Sequence, residues 1–168
     1  MEKTNIYAVL FDLNSLFWTE YNYLYEKKKE LSRKQNNPFD QLHIEGVIDL
    51  TLLSVLSHAS QSSANKIAIY RFDENEVEKV FPLDGMDEVL VEMLDFVKIR
   101  SLVRERIIGY LVNKAFCEKS FSRIIEAIGK GLCFINKQKS HRERYLQNLE
   151  FTGKILIIFN SKIPKTKF

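Results

Sequence analysis

The sequence predicts an α/β fold with a mostly parallel sheet flanked by helices. Three apolar runs, IYAVLF, KIAIYRF and KILIIF, are short and rich in β-branched and aromatic residues, and they read as buried strands. Amphipathic helical stretches lie between them, and parallel neighbours need such crossovers. At 168 residues with 45% hydrophobic content, the chain is long enough for one domain with a real core.

The first strand is expected over residues 6–13. It is apolar on both faces, so it belongs inside a sheet that is covered on both sides. Asp12, Asn14 and Ser15 follow at its carboxyl end, where open α/β sheets hold their ligands. Leu16, Phe17 and Trp18 come next. Residues 19–37 form a polar, Tyr- and Lys-rich connector, and 21–34 are compatible with a short exposed helix whose charges face solvent. Pro38 precedes a helix over 39–61, with Leu42, Val47, Ile48, Leu50, Leu53, Val55 and Leu56 as its apolar side and SQSSAN as its stop.

The second strand is predicted over 66–72. DENE makes a turn, and a third strand runs over 77–83. A helix over 86–99 would turn Val89, Leu90, Met93, Leu94 and Val97 to one side. Residues 100–106 are charged and ambiguous, and 107–116 resume a helical pattern. A strong helix is expected over 120–136, capped by Ser120 or Ser122, with Ile124, Ile125, Ile128, Leu132 and Ile135 as its stripe. Gly129 and Gly131 lower its propensity, and close packing against the sheet would explain them. KQKSHRERYLQ reads as a connector to the last strand, 154–159.

Composition excludes several functions. The net charge of +3 is too small to imply a nucleic-acid partner by itself. KQKSHRER is the best basic patch, but only Tyr145 beside it offers a stacking surface, so a solvated linker is the preferred reading. Cys117 and Cys133 have no CxxC or Cys/His spacing, which speaks against zinc and for reduced cysteines in an intracellular protein. His43, His58 and His141 are scattered and read as surface or helix-end residues. There is no nucleophile elbow, Walker A or dinucleotide fingerprint, and Gly129–Lys130–Gly131 lies mid-helix. No apolar run is long enough to span a membrane, and residues 1–18 lack the pattern of a signal peptide.

Four stretches, in order, carry a family resemblance. Asp12–Leu13–Asn14–Ser15–Leu16–Phe17–Trp18 resembles a D-x-N-P-x-W-W opening. LSVLSHASQSSANKIAIYRF resembles a first helix and second strand whose turn ends in N-K-L-A-V-I. FSRIIEAIGKGLCFINKQ resembles an L-A-x-A-L-C-Y-I-x-R helix, and KILIIFNS resembles an R-I-L-V-I strand. In all four the chain resembles the small von Willebrand factor A subunit of the core transcription and repair factor TFIIH, the general transcription factor IIH subunit 3 family.

The resemblance implies a von Willebrand A/Rossmann-like sheet in which 6–13 is central. It also implies a nuclear, non-catalytic scaffold without cofactor in this stretch, which binds the larger von Willebrand A subunit and other core TFIIH subunits. Such a scaffold supports RNA polymerase II transcription initiation and nucleotide excision repair. The family continues past the KILIIF strand into further strand–helix units and a zinc finger. Residues 1–168 are therefore expected to form a single incomplete domain, truncated after the fourth strand, with zinc only in the missing finger. Its last strand would then be a bare, aggregation-prone edge.

The resemblance also frames the site. Metal-binding von Willebrand A domains use a D-x-S-x-S loop, and its positions here read Asp12, Asn14 and Leu16. Leucine cannot ligate, and Lys162 stands where a distant carboxylate would be needed, so the site is expected to be degenerate and metal-free. Asp12 is instead expected to accept hydrogen bonds from its own loop. Phe17 and Trp18 suit either packing beneath the connector or an interface anchor. Ser122, Glu126, Lys130 and Phe134, on the outer side of the 120–136 helix, complete the partner-binding candidates. Two other classes stay open, an α/β enzyme or cation-dependent ligand binder and a weak basic nucleic-acid binder. Salt-dependent DNA binding would favour the last; a salt-resistant stoichiometric complex would favour the scaffold.

Overall fold

The computed structural model describes residues 3–14, 44–62, 64–83, 96–114, 117–119, 121–143 and 150–158. They form β1 (Lys3–Asp12), α1 (Ile44–Ala59), β2 (Lys66–Phe72), β3 (Val77–Phe81), α2 (Phe96–Asn113), α3 (Ile124–Glu143) and β4 (Glu150–Ile158). The sheet order is β3-β2-β1-β4. β1 pairs in parallel with β2 on one side and β4 on the other, with Ala8 opposite both Ala68 and Ile155. β2 and β3 form an antiparallel hairpin around the DENE turn. The expected central strand and its two parallel neighbours are all present.

Side chains of β1 divide between two cores. Tyr7, Val9, Phe11 and Leu13 meet Ile48, Leu52 and Val55 of α1 and Ile99, Val103 and Ile107 of α2. Leu10 faces the opposite way and packs with Ala68, Tyr70 and Phe72 of β2 and Ala127 of α3. Helices on both faces explain why β1 is apolar from Ile6 to Phe11.

Several expectations are corrected. In α1 the inward residues are Ile48, Leu52, Val55 and Leu56, spaced for one face, whereas Leu50 and Leu53 are exposed. The 100–106 stretch is not a break. α2 runs through it because Ile99, Val103 and Ile107 repeat every four residues toward the sheet, leaving the charges outside. Arg100 uses its outward position to pair with Asp49 of α1, and its guanidinium holds the Asp49 carboxyl below the ordinary range. Val97 is 70% exposed rather than inward. Residues 86–95 of the expected preceding helix lie outside the described residues.

α3 is displaced along the sequence. It begins at Ile124 because the Arg123 N–H donates to the Asp73 carbonyl at 2.8 Å, which ties the approach to the β2–β3 turn. The Ser122 hydroxyl turns to Asp12 instead of capping. The helix continues through 137–143, where the sequence predicts a connector, with Lys137, Lys139, Ser140 and His141 exposed to water. Its inner face is Ile124, Ala127, Ile128, Gly131 and Phe134; Ile125 and Leu132, assigned to the stripe, are 84% and 48% exposed. Gly131 packs closely as expected, for an added Cβ would lie 3.2 Å from the Ala8 Cβ. Gly129 does not, because a Cβ there meets nothing within 4 Å. Gly153 of β4 makes a second close approach, beneath Ile135.

Candidate functional site

β2 and β4 leave β1 on opposite sides, so the strand order reverses at the carboxyl end of β1. A crevice at such a reversal is where this architecture places ligands. Asp12 ends β1 there, Leu13 follows it, and Asp73 comes directly after β2 beside them.

Asp12 is buried, 1% exposed. Its Oδ1 accepts the Asn14 N–H at 3.2 Å and the Ser122 hydroxyl at 2.6 Å. The first is a local side-chain-to-backbone turn, the role expected from the sequence; the second links β1 to the entry of α3. The Asn14 amide donates to the Lys119 carbonyl at 3.0 Å, a second tie to the same entry. Asp12 and Asn14 thus meet Ser122 and Lys119, which lie more than 100 residues further along the chain.

Asp73 is the centre of a larger cluster that the sequence did not announce. Its Oδ1 accepts the Asn75 and Glu76 N–H groups at 2.6 and 2.9 Å, shaping the hairpin turn. Its Oδ2 accepts the Tyr110 hydroxyl and faces the Lys114 ammonium at 2.9 Å. Lys114 also reaches Glu74 and the Leu13 carbonyl, each at 2.9 Å. The Lys114 side chain is only 6% exposed, and those of Asp73 and Glu74 are fully buried. Arg71 closes the cluster, stacking its guanidinium 3.4 Å from the Tyr110 ring centroid while pairing with Glu76 and Glu78.

Burial pushes the Asp73 carboxyl up, but the Tyr110 hydroxyl, the two turn N–H groups and Lys114 outweigh it and hold the carboxyl below its ordinary range. Burial, and after it the Asp73 carboxylate, pushes the Tyr110 hydroxyl far above its ordinary range, so it remains a donor at neutral pH.

These groups fit a divalent cation poorly. Asp12 already accepts two protein donors, and the Lys114 ammonium sits on the next carbonyl, bringing positive charge to the place a metal would need. Among the described residues, no three His, Cys, Asp or Glu side chains gather to hold a metal ion. What the arrangement does chemically is fasten. One buried ammonium and two buried aspartates tie together the β1 exit, the hairpin turn, the end of α2 and the start of α3.

The remaining candidates are dispersed. Leu16, Phe17 and Trp18 lie outside the described residues. Glu126 pairs with Arg123 at 2.7 Å and with Lys130 at 3.5 Å. Lys130 donates to the Val77 carbonyl at 2.6 Å and so ties α3 to β3. Phe134 is half-buried and packs against the core beneath α3. One signal for the missed residues was present. β1 ends on an aspartate and β2 is followed by one, in LFD and YRFD, and parallel neighbours bring those two ends side by side.

The fold is similar to that in the crystal structure of the TFIIH p34 N-terminal domain, with a TM-score of 0.69 and 17% identity over 96% of this chain and 68% of that one. At that identity the likeness shows the fold, a von Willebrand A/Rossmann-like sheet flanked by helices. No family model matches the chain, and no curated protein matches it either.

Proposed function

We propose that this chain is a non-catalytic scaffold subunit of a TFIIH core complex. In this reading it is nuclear, binds the larger von Willebrand A subunit, and supports RNA polymerase II transcription initiation and nucleotide excision repair. The observation that carries the reading is the likeness of fold to the TFIIH p34 N-terminal domain across 96% of the chain. Two features support it. The stretches that resemble the small TFIIH subunit start at Asp12, the last residue of β1, and continue on the α1–β2 unit, α3 and β4. And the carboxyl edge, where an enzyme of this architecture keeps its reactive groups, is engaged in holding the fold together.

Affinity purification of the tagged chain, followed by mass spectrometry, tests the proposal. Core TFIIH subunits are expected in stoichiometric amounts, and they should persist through moderate salt. Recovery without any TFIIH subunit overturns it. So does recovery of nucleic acid alone, lost as salt rises.

A further inference from the structure

We infer that the outer face of α3 is a docking face for an acidic amphipathic helix of a partner protein, which crosses α3 closely at Gly129. The inference rests on the scaffold reading for the existence of a partner, but not for the partner's chemistry.

Ile125 and Leu132 are 84% and 48% exposed and stand two helical turns apart on one side. Phe121, 51% exposed, extends the row just before the helix, and Cys133 is exposed beside Leu132. Gly129 lies between the two aliphatic residues. A helix-interior glycine lowers stability, and a side chain here meets nothing within 4 Å that would forbid one. Gly131, two residues on, has its reason in Ala8. The gap at Gly129 acquires a reason when a second helix approaches, because a missing side chain lets helix axes come closer than the usual spacing. Ile125 and Leu132 then flank the crossing as knobs on either side of a notch.

The rim selects the sign of the partner. Beyond the Glu126–Lys130 pair, α3 carries Lys137, Lys139 and Arg142 against the single carboxylate Glu143, so its carboxyl half is net basic. Lys137 and Lys139 are exposed, and Glu126 at the other end is already paired to Arg123 and Lys130. A second copy of this chain would bring another row of lysines to the crossing. An amphipathic helix with glutamates along its flanks is complementary in both shape and charge.

The test uses the full chain and two synthetic helices of about 20 residues, matched in length to α3. Both carry a Leu/Ala stripe; one has glutamate flanks and the other lysine flanks. Binding is followed by fluorescence anisotropy and by amide chemical shifts. The glutamate helix is expected to bind, with shifts centred on Ile125, Gly129, Leu132 and Lys137, and the lysine helix is expected not to bind. Gly129→Leu and Leu132→Asp should each weaken binding by about tenfold or more, while Gly129→Leu does not lower the melting temperature. Equal binding of both helices, binding of neither, or variants that bind like the wild type overturn the inference. Concentration-dependent self-association that Gly129→Leu abolishes would assign the face to a second copy and overturn it as well. If the peptides fail while TFIIH subunits still co-purify, only this docking face is lost; the converse removes only the scaffold reading.

Discussion

At the carboxyl edge of the sheet, Asp12, Asp73, Glu74 and Lys114 are buried, and protein groups at hydrogen-bonding distance surround them. Along the outer face of α3, Ile125 and Leu132 are exposed around a glycine with open space above it. The first region is polar and closed; the second is apolar and open. The contrast separates a region that holds the fold together from one that is open to contact. The carboxyl edge that α/β proteins commonly use for ligands holds an internal ammonium on the Leu13 carbonyl, and one of the exposed apolar rows lies along the outer face of α3.

The contrast breaks most sharply at Lys114. Lys114→Met removes the cation shared by Asp73, Glu74 and the Leu13 carbonyl and leaves two buried carboxylates without it. A loss of about 3 kcal/mol or more in chemical denaturation is expected. Leu132→Asp, on the open face, should change stability by no more than about 0.5 kcal/mol. Equal effects would erase the distinction between the two regions.

Asp73 supplies the pH signature of the closed region. Its native pKa lies below its unfolded value, so the stability it adds is fully present above the ordinary carboxylate range and is lost as pH falls through the lower native value. Asp73→Asn should cost about 2 kcal/mol at neutral pH and flatten the acid limb of the stability curve below about pH 4. A variant that loses stability in parallel with the wild type across that range would contradict this.

The two glycines of α3 sharpen the comparison within one helix. Gly131→Leu pushes a side chain against Ala8 of the central strand, and a loss of about 2 kcal/mol is expected in thermal unfolding. Gly129→Ala has space, and should gain up to about 1 kcal/mol from helix propensity. Changes of the same sign would show that the two faces are not distinct.

The smallest effect is expected from added metal. Titration calorimetry with Mg²⁺ or Mn²⁺ should give no saturable heat below millimolar concentration. A saturable site that Asp12→Ala abolishes would restore the cation-dependent reading of the carboxyl edge.

Much of this layout was legible in the sequence, for reasons tied to particular residues. β1 and β2 announced themselves as two-sided apolar runs, and the Asn14–Asp12 turn follows from aspartate's local chemistry. The faces of α3 were not legible. Five isoleucines and leucines in a helix of 20 residues fit more than one stripe, and only the close approach of Gly131 to Ala8 settles which way the helix is rotated. Lys114 was equally hidden, since a lysine after an ordinary helical stretch reads as solvent-facing. Its burial depends on Asp73 and Glu74, 40 residues away or more, which no local pattern reports.

The scaffold account is tested most directly by light scattering on size-exclusion fractions of this chain co-expressed with the larger von Willebrand A subunit, at moderate salt and with nuclease present. The account predicts a single species whose mass equals one copy of each chain. Two separate peaks, or a joint peak that disappears with nuclease, would contradict it.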